Sequence, residues 1–92
     1  LRKHIFISGR VQGVGFRHFT KVNARNLNIN GWVKNLSDGR VEAVFEGEQD
    51  QVREMMQKVK KGPRTSSVNS VVESDEAPTE QEETLNSFEV RY

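Results

Sequence analysis

Apolar and polar residues alternate from Lys3 to Ser8, with Ile5 and Ile7 on one side and His4, Phe6 and Ser8 on the other. That two-residue period predicts a half-buried strand, with Ile5 and Ile7 in the core and Phe6 on an open face. Phe19, Val22 and Leu27 then share one helical face with Asn23, which predicts a weakly amphipathic helix from about Arg17 to Leu27. Asn26, Asn28 and Asn30 supply turn chemistry after it. Ile29 to Leu36 is rich in strand formers and runs into Ser37-Asp38-Gly39, a hairpin signal. The returning strand, Arg40 to Glu46, sends Val41, Ala43 and Phe45 inward and Glu42 and Glu46 outward, with Val44 the exception. The clearest period belongs to Val52, Met55, Met56 and Val59, the i, i+3, i+4, i+7 core face of a second helix that Gly62-Pro63 stops. Val68 to Glu73 predicts a fourth strand, and Phe88 and Val90 flank Glu89 in a short last one ending at Tyr92. The acid-rich run from Glu73 to Thr84, around Pro78, reads as a solvated loop.

This order predicts an α+β fold: a ferredoxin-like βαββαβ sandwich, with an antiparallel four- to five-stranded sheet and two helices on one face. Residues 1–92 are expected to form a single domain. In that topology strands one and two run parallel on either side of strand three, so their C-terminal ends share one edge of the sheet, ~10 Å apart. Trp32, on the second strand, is assigned to the core or to a wall beside that edge.

Composition narrows the classes. A hydrophobic fraction of 34% and a mean hydropathy of -0.73 suit a modest core under a polar surface. No apolar run approaches the ~20 residues of a membrane span, and no charged-then-apolar leader is present, so no membrane partner is expected. The absence of cysteine removes disulfides, thiolate metal sites and a phosphocysteine intermediate, and suits a reducing, cytoplasmic setting. The net charge of +1 conceals an asymmetry. Residues 1–37 carry seven Lys and Arg and no acid, whereas residues 38–92 carry seven bases and all thirteen acids. A basic end on a near-neutral chain favours a small anionic ligand over a long nucleic acid.

Gly9-Arg10-Val11-Gln12-Gly13-Val14-Gly15-Phe16-Arg17 lies between the first strand and the first helix, at that basic end. A glycine-rich turn into a helix leaves backbone N–H groups unpaired and adds the positive end of the helix dipole. The expected phosphate cradle comprises the amides of Gln12, Gly13, Val14, Gly15, Phe16 and Arg17, with the Arg17 guanidinium as a paired donor for phosphoryl oxygens. The same glycines also fit a plain turn. Asn35 falls at the end of the second strand, at the edge where the topology places the cradle.

The chain offers no protein nucleophile. Neither His4 nor His18 has a carboxylate in the acid-free first third to orient it, and His18 reads as a helix-surface residue. No Asp/His cluster has metal-ligand spacing, so no metal or other cofactor is expected. Phosphoryl chemistry here would rest on positioning and charge stabilisation, with water as the nucleophile. Without a general acid the leaving group must depart unaided, and a carboxylate, whose conjugate acid has a pKa of ~4, does so. The expected catalytic pair is Arg17, binding the phosphoryl group, and Asn35, holding the attacking water.

The motif G-x-V-Q-G-V-G-F-R, followed by Gly31-Trp32-Val33-Lys34-Asn35 and Asp38-Gly39-x-Val41-Glu42, resembles the acylphosphatases. The match is close from Gly9 to Gly47 and general in outline beyond. The resemblance implies metal-free hydrolysis of the carboxyl–phosphate bond, with acyl phosphates and inorganic phosphate as ligands and a monomeric enzyme. It also implies the same roles for Arg17 and Asn35. Two other classes stay open on the residues alone. A non-catalytic sensor would use the same cradle to hold a phosphorylated metabolite. An RNA platform needs two or three aromatic rings on the open sheet face, where the pattern places only Phe6.

Overall fold

A computed structural model describes residues 1–74 and 85–92, so the predicted acid-rich loop lies, from residue 75 to residue 84, outside the described residues. The elements run β1 (Arg2–Arg10), α1 (Phe16–Asn26), β2 (Asn30–Asn35), β3 (Val41–Glu46), α2 (Gln49–Lys61), β4 (Ser67–Glu73) and β5 (Phe88–Arg91). The strands form one sheet in the order β4-β1-β3-β2-β5. β3 is antiparallel to both β1 and β2, so β1 and β2 are parallel and their C-terminal ends share an edge, as the topology predicts. The ferredoxin-like arrangement holds, with one correction. β5 pairs with β2 in parallel, Gly31 beside Phe88 and Val33 beside Val90, so the sheet is mixed rather than antiparallel. β4 already occupies the edge beside β1, and the last strand closes the opposite edge.

The alternating strand residues create a single packed layer. Ile5, Ile7, Val33, Val41, Ala43, Phe45 and Phe88 are buried against Val52, Met55, Met56 and Val59 of α2 and Phe16 and Ala24 of α1. The period of α2 therefore faces the core as predicted. That of α1 does not. Its buried face is Phe16, Thr20 and Ala24, while Val22 is 41% exposed. A threonine can line the core because its hydroxyl donates to the Phe16 carbonyl oxygen at 2.8 Å, which leaves no polar atom unpaired. Hydropathy alone passed over it.

The open face also differs from expectation. Trp32, Val44 and His4 form one cross-strand row on the side away from the helices, so Trp32 is neither core nor a wall of the cradle. Val44 is 3% exposed despite facing outward, flanked across the strands by His4 and Trp32. His4 lies edge-on to Trp32, with ring centroids 6.2 Å apart, and 5.1 Å from Phe6. This face therefore carries three rings, not Phe6 alone. Two of them lie beneath the chain's own cations: Arg40 is 4.8 Å from the Phe6 centroid, and Lys34 and Arg91 are 5.5 and 4.9 Å from that of Trp32. His4 does have a carboxylate neighbour, supplied by tertiary pairing: its Nε2 lies 2.6 Å from Glu42 Oε2.

Candidate active site

The register of β1 with β4 shifts between Ser8 and Gly9, a bulge of the kind that bends a strand as it leaves the sheet. The chain then turns through residues 11–15 into α1. Val11 and Phe16, each 1% exposed, fasten the two ends of this turn in the core. Between them Gly13 and Gly15 take φ of 74° and 78°. A Cβ at either would meet nothing within 4 Å, so it is the left-handed backbone, not crowding, that calls for glycine there.

Gly15 is the N-cap of α1 and offers no side chain to the first turn, which contains no acid. The first bond into the helix runs from the Phe19 N–H to the Gly15 carbonyl oxygen at 3.0 Å. Among the described residues no acceptor takes the amides of Gln12, Gly13, Val14, Gly15, Phe16, Arg17 or His18. The cradle thus keeps its donors free, at the positive end of a helix. Its shape is fixed from outside. The Gln12 carboxamide donates to the carbonyl oxygens of Leu36 and Arg40 at 2.7 and 2.8 Å, tying the loop to the β2–β3 hairpin. The Thr65 hydroxyl donates to the Val14 carbonyl oxygen at 2.8 Å from the segment after α2. The Gln12 side chain is therefore a tether, and only its main chain is available to an anion.

Arg17 and Asn35 line one pocket of about 260 Å³. Gly13, Gly15, Val11, Phe16 and Val90 complete its wall, with His18, Lys21 and Tyr92 also lining it; Gln12 and Val14 are not part of the lining. No carboxylate lies within 4 Å of Arg17 among the described residues, and its guanidinium sits 4.8 Å from the centroid of the Tyr92 ring. Asn35 closes β2 opposite Val41. Its Oδ1 is buried and has no hydrogen-bond partner among the described residues. A buried acceptor in that state costs stability unless a ligand or water donates to it.

The hairpin that carries Asn35 is itself braced. The Arg40 backbone N–H donates to Asp38 Oδ1 at 3.1 Å, and the Arg40 guanidinium holds Oδ2 at 2.8–2.9 Å. The Arg40 backbone N–H first, against an opposing cost of desolvation and with help from the guanidinium, keeps the Asp38 carboxyl below its ordinary value. Among the described residues no group of three His, Cys, Asp or Glu is placed to hold a metal ion.

The pattern of residues passed over Thr65 and Tyr92, which reach the loop and pocket from the far half of the chain and carry no local signal. Lys21 had one: it follows Arg17 by four positions and so shares its helical face.

Fold and pocket together define a small α+β sandwich with an anion cradle where its first and second strands end. The sequence model of the acylphosphatase family matches residues 3–90, and the chain belongs to that family. It is 50% identical over 91 residues to an acylphosphatase of Trichormus variabilis, covering 99% of this chain and 86% of that protein. Its structure is similar to that of the acylphosphatase from Bacillus subtilis, with a TM-score of 0.84 and 39% identity over 99% of this chain and 98% of the other. The Coxiella burnetii acylphosphatase superposes with a TM-score of 0.86 at 37% identity, over 98% and 90% of the two chains.

Proposed function

We propose that residues 1–92 act as one catalytic unit that hydrolyses acyl phosphates to carboxylate and inorganic phosphate, by direct attack of water and without a metal. One observation carries this reading: Asn35, whose buried Oδ1 has no partner among the described residues, and Arg17 line the same pocket as the cradle glycines. The free amides and Arg17 bind the phosphoryl oxygens and stabilise the charge that spreads over them as the bond to the leaving oxygen breaks. The Asn35 side-chain amide hydrogen-bonds the attacking water and holds it with an oxygen lone pair directed at phosphorus. Water oxygen bonds to phosphorus, the bond from phosphorus to the carboxyl oxygen breaks, and the carboxylate leaves with the electron pair. The water proton passes to a phosphoryl oxygen of the substrate, so the step calls on no protein base. A leaving group with a conjugate-acid pKa of ~4 needs no acid, which separates acyl phosphates from phosphate monoesters.

The test is a hydrolysis panel run with excess EDTA. Benzoyl and acetyl phosphate are expected to turn over and phosphate monoesters to resist. Phosphate binding without turnover of any acyl phosphate would point to the sensor, and restoration of activity by a divalent ion after EDTA would overturn the metal-free route. The enzyme is further proposed to act in the cytoplasm as a monomer. The lack of cysteine supports the compartment, and no helix among the described residues is long and apolar enough to cross a membrane.

A further inference from the structure

Arg17 and Lys21 stand four residues apart on α1 and both line the pocket. Lys21 is half-buried, yet no carboxylate lies within 4 Å of it among the described residues. Among the described residues no Asp or Glu side chain lines the pocket. A phosphoryl group held by the cradle amides and Arg17 already uses the charge at the helix start. One helical turn, ~5.4 Å along the axis, separates Lys21 from Arg17, so its ammonium serves a point displaced from the phosphoryl seat. At about 260 Å³ the pocket is also larger than a phosphoryl group requires. What extends from that group into the remaining space is the acyl chain. A neutral chain would leave a partly desolvated cation uncompensated, whereas a second anionic group would pair with it.

We propose that Lys21 reads the acyl group, and that the preferred substrates are acyl phosphates whose acyl chain ends in a second anionic group, such as a carboxylate. This rests on the acyl phosphate reading above. Lys21 acts on the choice of substrate and not on the bond that breaks.

Succinyl phosphate and butanoyl phosphate differ in the end of a four-carbon chain, carboxylate against methyl, and share the same anhydride. At low ionic strength the wild-type chain is expected to favour succinyl phosphate in kcat/KM by about 3- to 10-fold, the scale of one charge-assisted contact at a partly exposed site. Lys21→Gln should bring the ratio to about one and Lys21→Glu below one, Lys21→Arg should keep it, and added salt should compress it in the wild type. The ratio cancels any general effect of the substitution on phosphoryl binding or folding. A wild-type ratio of one or less, or a ratio unmoved by Lys21→Gln, would overturn the role of Lys21 while leaving the acylphosphatase intact. Failure of the wild type to hydrolyse either anhydride would overturn both.

Discussion

The open face of the sheet and the pocket at its edge are both built from polar and aromatic side chains, and they treat them in opposite ways. On the open face the charges answer one another. Arg2 meets Glu46 at 3.1 Å, Glu42 lies between His4 at 2.6 Å and Lys34 at 3.8 Å, and cations cover Phe6 and Trp32. In the pocket the cradle amides, Asn35 Oδ1 and Lys21 are left without partners among the described residues. A satisfied cluster contributes to folding and presents nothing to bind. An unsatisfied one keeps donors and acceptors available to a ligand. Both regions held candidates of similar chemical type, including a histidine with a carboxylate; what separates them is which groups the fold leaves unpaired.

The comparison breaks first at Arg17 and Asn35 if it breaks at all. Arg17→Lys should lower kcat/KM for benzoyl phosphate by ~100-fold or more, since a point charge does not replace a planar fork, while the thermal midpoint stays near that of the wild type. Asn35→Ala should lower kcat by a similar ~100-fold yet leave inhibition by inorganic phosphate nearly unchanged. That variant should also be at least as stable as the wild type, because a buried acceptor without a partner has been removed. Turnover like the wild type in either variant would end the assignment of that residue.

Gln12→Leu sharpens the contrast from the loop side. It removes both bonds to the hairpin but no cradle amide, so kcat/KM should fall by ~10-fold through a misplaced loop, with a loss of about 1–3 kcal/mol in stability. Glu42→Gln is the reciprocal case. It should cost about 1 kcal/mol by weakening the pairs with His4 and Lys34, and change kcat/KM by less than ~2-fold. Activity tracking Glu42 as strongly as Gln12 would show that the two faces are not independent.

The smallest effect concerns Asp38. Its carboxyl is held below its ordinary value in the folded chain, so its contribution to stability is present above about pH 4 and lost as pH falls through the lower folded value. Asp38→Asn should flatten that part of the stability curve by slightly lowering stability at neutral pH, where the contribution is present, while leaving the lowest pH little changed. Urea midpoints measured across pH 2–6 would separate the two proteins.

Much of this was written in local order. The alternation around Ile5 and Ile7, the i, i+3, i+4, i+7 face of α2 and the Ser37-Asp38-Gly39 turn are near-neighbour patterns, so they could be read without coordinates. The βαββαβ order then constrained the topology enough to bring the ends of β1 and β2 to one edge, and with them Arg17 and Asn35. Two readings failed for a common reason. The buried face of α1 includes Thr20, whose hydroxyl is satisfied within the helix, and Trp32 is shared between a row of cross-strand neighbours and two cations. Hydropathy assigns a residue by its type, whereas burial depends on whether its polar atoms find partners and on which face the pleat presents.

By itself, then, the sequence determined the elements, their order, the glycines at Gly13 and Gly15 and the basic end with no acid in it, because each depends on residues close together along the chain. Tertiary structure alone decided that β5 runs parallel on the β2 edge, that Gln12 and Thr65 hold the loop, that His4 finds Glu42, and that Asn35 keeps a buried oxygen unpaired among the described residues. Those outcomes join residues far apart in the chain, and hydrogen-bond satisfaction is a property of what the whole fold brings within about 3 Å.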